Sequence, residues 1–151
     1  ALSILKWVVP FGAAIIFAGI KEASDDMNQC MQILRDRPEH FLVVSGDDAL
    51  ILPQMACGID GVISVAANTF PKQFSEMVRL GLAGNFEGAR KIHYQLLAAY
   101  DLLFIENNPA GVKGFMYEQQ LIQNVLRLPV VSLTNNIQQK VNEFIHQYKN
   151  L

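Results

Sequence analysis

The chain has 151 residues, about the size of one ordinary domain. Hydrophobic residues make up 51% and charged residues 17%, too apolar a balance for a disordered chain. Twelve Lys and Arg against fourteen Asp and Glu leave a net charge of -2 with no basic run, which excludes an electrostatic footprint for nucleic acid.

The first twenty residues are apolar apart from Ser3 and Lys6, and Trp7, Pro10 and Gly12 interrupt them. A signal peptide would place its charge first and end at a small-residue cleavage site. A membrane span needs about 20 clean apolar residues. Two short strands over residues 4–9 and 15–21, joined by a turn, account for the pattern better. Residues 10–14 are too few for the crossover that parallel strands require, so the pair is expected to be an antiparallel hairpin. A membrane or export segment is the minority reading, and no membrane partner is expected.

The continuous apolar run over residues 15–20 reads as a strand buried on both faces, ending at Lys21-Glu22-Ala23-Ser24. Ser24 or Asp25 is expected to cap a helix over residues 26–35, with Met27, Cys30, Met31 and Leu34 at helical spacing and Pro38 ending it. Residues 41–44 form the next strand, closed by Ser45-Gly46-Asp47-Asp48. A short helix carrying Leu50, Ile51 and Met55 leads to Gly58, and residues 62–65 are a third strand opening into Ala66-Ala67-Asn68. Strands alternating with helices predict an α/β fold with a parallel sheet. Beyond Asn68 the pattern is helical, over residues 71–82, 85–105, 111–126 and 135–148.

In parallel α/β folds, functional groups gather where strands end. Three such ends are visible, at Lys21, at Ser45-Gly46-Asp47-Asp48 and at residues 64–68. A lysine after six apolar residues is expected in a poorly hydrated place, where desolvation favours the neutral amine that attacks a carbonyl. The alternative is a snorkelling lysine paired with Glu22 or Asp47. Of Asp47 and Asp48, one is expected to cap the following helix and the other to orient the loop. Gly58-Ile59-Asp60-Gly61 precedes a strand, whereas a phosphate cradle follows one and opens a helix. His40, His93 and His146 share no ligand spacing with one another or with cysteine; they are expected at the surface or boundary, and no metal is expected. Cys30 and Cys57 make no disulfide framework; both are expected to be buried small apolar groups, in a reducing cytoplasm.

Gly19-Ile20-Lys21-Glu22-Ala23-Ser24, Ser45-Gly46-Asp47-Asp48 and the run from Gly58 to Asn68 strongly resemble the dihydrodipicolinate synthase and N-acetylneuraminate lyase family, with detail favouring the synthase branch. Asn108-Pro109-Ala110-Gly111-Val112-Lys113 is similar to that family's Asn-Pro-x-Pro-Val-Lys stretch, with Gly111 in place of the usual proline. The resemblance implies a (β/α)8 barrel with C-terminal helices. It matches Lys21 to the catalytic imine-forming lysine, with the backbone of Gly46 and the carbonyl of Ile63 lining the substrate site. It further implies pyruvate and an aldehyde as substrates, and no cofactor.

A complete barrel takes about 250 residues, so a partial (half) TIM barrel is expected. Residues 1–68 would be its sheet region, with 1–18 a foreign leader, and residues 69–151 a helical region packing on it as one continuous unit. The family's Gly-Thr-Thr-Gly-Glu turn and Tyr-Asn-x-Pro-x-Arg segment, which carry its proton relay and its substrate-holding arginine, do not occur here. Tyr94, Tyr100, Tyr117 and Tyr148 fall in the helical half and are expected to be packing residues. A positioned proton-transfer group contributes ~10²–10⁴-fold, so turnover is expected to be weak or absent. These features suggest a truncated, recombined or engineered fragment of a Schiff-base lyase. The alternatives are a non-catalytic, self-associating half-barrel with Lys21 a relic, and a piece that complements a separate first half. Open sheet edges favour a homo-oligomer, with a dimer preferred.

Overall fold

The computed structural model describes residues 18–148, so the expected strand over 4–9 and all of the foreign leader except Ala18 lie outside the described residues. The described chain divides into two compact units. One takes the residues up to Ser64 together with Val78–Ala89, and the other takes Val65–Met77 and the chain from Arg90 onward.

The first unit holds the sheet. Strands β1 (Gly19–Glu22), β2 (Leu42–Ser45) and β3 (Gly61–Val62) pair in parallel in that order. Register aligns Lys21 with Val44 and Glu22 with Ser45, and Ser45 in turn with Val62. Alternation sends Ile20, Glu22, Val43 and Ser45 to one face, where Val43 and Ser45 are fully buried and Glu22 nearly so. Gly19, Lys21, Leu42 and Val44 share the other face, on which Leu42 is 52% exposed.

Helices α1 (Met27–Asp36) and α2 (Ile51–Ala56) connect the strands, and Cys30, Ile33, Ile51, Met55 and Ile59 are buried. The cap of α1 is Asp26, whose carboxylate accepts from the amides of Asn28 (2.9 Å) and Gln29 (3.2 Å). The expected caps differ because Ser24 is held by Glu22 and Asp25 lies one residue too early. The α1 stripe is also rotated from expectation: Ile33 is buried and Met31 is 46% exposed. Strand β3 has two residues rather than the expected four, and residues 63–65 lead from it to a 3-10 turn at Ala66–Asn68. Asp60 ties β2 to the segment before β3. Its Oδ2 accepts from the Val43 amide (2.8 Å) and from the Arg37 guanidinium, and its own amide donates to the Val43 carbonyl (2.9 Å).

The second unit is helical. Helices α3 (Pro71–Leu82) and α4 (Phe86–Phe104) each contribute part of their length to it, followed by α5 (Ala110–Glu118) and α6 (Asn135–Tyr148). Helix α5 ends eight residues before the expected limit at 126. Gln120 takes a left-handed backbone (φ 60°), and the chain beyond it leaves the helix. Phe70, Phe115 and Phe144 pack edge to face with centroids 5.8–6.0 Å apart, and Tyr148 stacks on Phe144 at 5.7 Å. Tyr100 is buried against Phe74, whereas Tyr94, beside the His93 ring, and Tyr117 are 63% and 48% exposed and lie outside the core. His93 is buried beside the ring of Tyr100, contrary to the surface or boundary position expected for it; its position on α4 faces the core, where the ring packs as an aromatic. His40 and His146 are exposed.

Gly111 sits where a side chain does not fit. Its amide donates to the Asn107 carbonyl at 2.9 Å, and a Cβ there would lie 2.0 Å from the Leu103 carbonyl oxygen. The glycine that departs from the resembled motif is thus matched to a close approach by the end of α4.

Candidate active site at the strand ends

Parallel pairing brings three expected site residues to one end of the sheet. Lys21 is the third residue of β1, Gly46 follows the last residue of β2, and Ile63 follows the last residue of β3. The Ile63 amide donates to the Ser45 carbonyl (2.8 Å), and the Gly46 amide donates to the Glu22 carbonyl (2.6 Å). The Gly46 N–H is therefore committed to the ladder. A Cβ at position 46 would lie 2.5 Å from Lys21 Cε and 2.6 Å from the Ala23 Cβ. The lysine stem crosses directly over the glycine.

The expected desolvation of Lys21 is not found; its side chain is exposed. Alternation explains this. Ile20 turns to the opposite face, Gly19 has no side chain, and the apolar run before the lysine does not wrap its amine. Neither nearby carboxylate is turned to it. Asp47 accepts from the amides of Ala49 (2.8 Å) and Leu50 (3.0 Å) in the turn ahead of α2. The cap of α2 is Leu50, with no side-chain hydrogen bond, so the helix-capping role expected of one of the two aspartates is not found; the carboxylate closes the turn instead.

Glu22 is 3% exposed and lies on the face opposite Lys21. Its Oε1 accepts from the Ser24 amide (2.9 Å), the Ser24 hydroxyl and Gln29 Nε2 (3.3 Å), while Oε2 accepts from Gln54 Nε2 (3.4 Å). Sequence reasoning treats Glu22 only as a counter-ion for Lys21. The available signal is strand alternation, which points neighbouring residues to opposite faces. Beside it, burial first, then the Glu22 charge and then Cys57, push the Cys30 thiol up to about 11. Cys57 is half-buried, and neither cysteine is bonded to another.

Among the described residues, no group of three or more His, Cys, Asp or Glu could hold a metal ion. No helix among them is long and apolar enough to cross a membrane.

The dihydrodipicolinate synthetase family model matches residues 15–148. A 4-hydroxy-tetrahydrodipicolinate synthase of Parabacteroides distasonis is 43% identical over 128 residues, covering 85% of this chain and 43% of the relative. The solved 4-hydroxy-tetrahydrodipicolinate synthase of Methylacidiphilum fumariolicum SolV is 35% identical with a TM-score of 0.92, covering 99% of this chain and 49% of that one. A chloride-inhibited dihydrodipicolinate synthase of Acinetobacter baumannii, solved in complex with pyruvate, is 29% identical with a TM-score of 0.84, covering 89% and 46%. The chain thus spans less than half the length of the relatives it matches. It belongs to the dihydrodipicolinate synthetase family, and its parallel α/β fold is part of a TIM barrel.

Proposed function

We propose that this chain carries the Schiff-base half of a 4-hydroxy-tetrahydrodipicolinate synthase-type lyase, with Lys21 as its imine-forming residue. The observation that supports this reading is the placement of Lys21 at the strand ends, its stem laid over Gly46 and its side chain on the open face of the sheet. The Lys21 amine adds to the ketone carbon of pyruvate and water leaves, giving a protonated imine. That cation withdraws electrons from the methyl group, which loses a proton to give an enamine. The enamine carbon then bonds to the carbonyl carbon of an aldehyde, and hydrolysis of the imine returns the free lysine. No cofactor enters this sequence.

The resembled relay and arginine motifs do not occur in these 151 residues, so the chain assayed alone forms the imine but condenses the aldehyde weakly. Lysine biosynthesis is the process in which such a lyase serves, and the free cysteines suit the reducing cytoplasm. The test is borohydride reduction in the presence of pyruvate, read by intact mass, with Lys21→Ala as control. A reduced adduct on the wild type and none on the variant supports the reading. Equal mass gains for the two remove it.

A second reading is favoured by the exposure of Leu42 and Ile63, at 52% and 57%, because parallel sheets are ordinarily covered on both faces. We propose that this face associates with a second copy of the chain to form a dimer, and that in a purely structural role Lys21 would be a relic. Light scattering on a size-exclusion column decides this, and a single species of 16.9 kDa contradicts it.

A further inference from the structure

Glu22 has no part in the imine chemistry, yet it is a buried acid that meets three neighbouring segments. Its carboxylate binds Ser24 in the turn after β1, Gln29 on α1 and Gln54 on α2, and Gln54 is fully buried. Its main-chain carbonyl accepts the Gly46 amide. Lys21 precedes it in the chain, and the stem of Lys21 rests on Gly46. One residue therefore anchors both members of the Lys21–Gly46 contact from the covered side of the sheet.

We infer that Glu22 is the positioning residue for Lys21: its side-chain hydrogen bonds fix the end of β1, and through it the direction from which the amine meets the keto acid. The inference rests on the imine reading of Lys21 for its consequence, though not for its geometry. Attack on a carbonyl demands near-contact alignment, and small misplacements of the nucleophile are costly in rate. Every group the carboxylate binds is a neutral donor and none is a counter-ion, so the inference assigns its effect to reach rather than to charge.

That distinction can be separated experimentally. Glu22→Gln keeps the length and the Oε1 acceptor. Its new amide can face Gln54, whose Oε1 is buried without a hydrogen-bond partner and can turn to accept. Glu22→Asp keeps the charge but is one methylene too short to span Ser24 and Gln54 together. The experiment measures borohydride trapping of pyruvate on the full chain, as the rate at saturating pyruvate and the concentration for half-saturation. Alongside it runs hydrogen exchange of the Gly46 amide, with the Val43 amide, held by Asp60, as reference.

Glu22→Gln is expected to trap at close to the wild-type rate. Glu22→Asp is expected to lose roughly ten- to hundredfold in saturating rate with little change in half-saturation. Its Gly46 amide exchanges faster while that of Val43 does not. A slow Glu22→Gln with an intact Glu22→Asp assigns the effect to charge and overturns the inference. Two variants equal to each other, both fast or both slow, overturn it as well. If the wild type traps no pyruvate, the imine reading fails, and the Gly46 exchange rates still decide whether Glu22 holds that contact.

Discussion

Gly46 lies against the stem of Lys21, so closely that a single methyl group there would meet Lys21 Cε at 2.5 Å and Cγ at 3.1 Å. The lysine can shift, but the Ala23 Cβ at 2.6 Å cannot move without the turn that carries it. Gly46→Ala is expected to destabilise the fold by about 1–3 kcal/mol through overpacking. In combination with Lys21→Ala part of that loss returns, giving a coupling of about 0.5–3 kcal/mol in a urea double-mutant cycle. Strict additivity would show that the two residues do not touch.

Asp60 supplies a different kind of support, accepting a main-chain N–H of the central strand and a guanidinium with the same oxygen. Asp60→Ala leaves the Val43 amide without its carboxylate partner and is expected to cost about 1–3 kcal/mol. Arg37→Ala breaks only the half-exposed ion pair and is expected to cost about 0–1 kcal/mol. Equal urea midpoints for the two variants would mean that the ion pair, and not the strand contact, carries the effect.

Much of this architecture is legible from the chain's punctuation. The apolar runs at residues 15–20 and 41–44, each closed by polar residues, locate β1 and β2, and Lys21, Gly46 and Ile63 come out at one sheet end because parallel register forces them there. What periodicity misses is direction. A run of apolar residues suggests a wrapped lysine, yet alternation puts Lys21 on the open face and the adjacent acid in the core. The cap of α1 falls on Asp26 because Ser24 is already engaged by Glu22, a contact between two residues on the same turn that composition alone does not reveal. The end of α5 depends on the left-handed backbone at Gln120, in a segment whose hydrophobic residues otherwise continue a helical pattern.

Cys30 gives a prediction in pH. Its folded-state value is raised from 9.0 to about 11, by burial first, then by the Glu22 charge and then by Cys57. The folded protein therefore holds the thiol proton more tightly than the unfolded chain does. The associated stability is complete below about pH 9 and is lost as the pH rises toward 11. Cys30→Ala is expected to flatten the fall in urea midpoint across that interval. At pH 8, iodoacetamide is expected to modify half-buried Cys57 well before Cys30. A faster reaction at Cys30 would show that the thiol is neither buried nor protonated.

Gly111→Ala tests the close approach in the helical unit. The atom in the way is the Leu103 carbonyl oxygen, at 2.0 Å, a main-chain group at the end of α4 that has no rotamer to relieve the clash. A loss of about 1–3 kcal/mol in thermal unfolding is expected. An unchanged melting temperature would show that the end of α4 adjusts freely.

On the reading proposed above, Lys21 is the lysine among the described residues that is placed to condense with a keto acid. The most direct measurement is peptide mapping after borohydride reduction of the folded chain with pyruvate. The reduced adduct is expected on the peptide containing Lys21 and is expected to be lost on prior unfolding in urea. An adduct spread evenly over Lys72, Lys91 and Lys113, or equally strong on the unfolded chain, would contradict it.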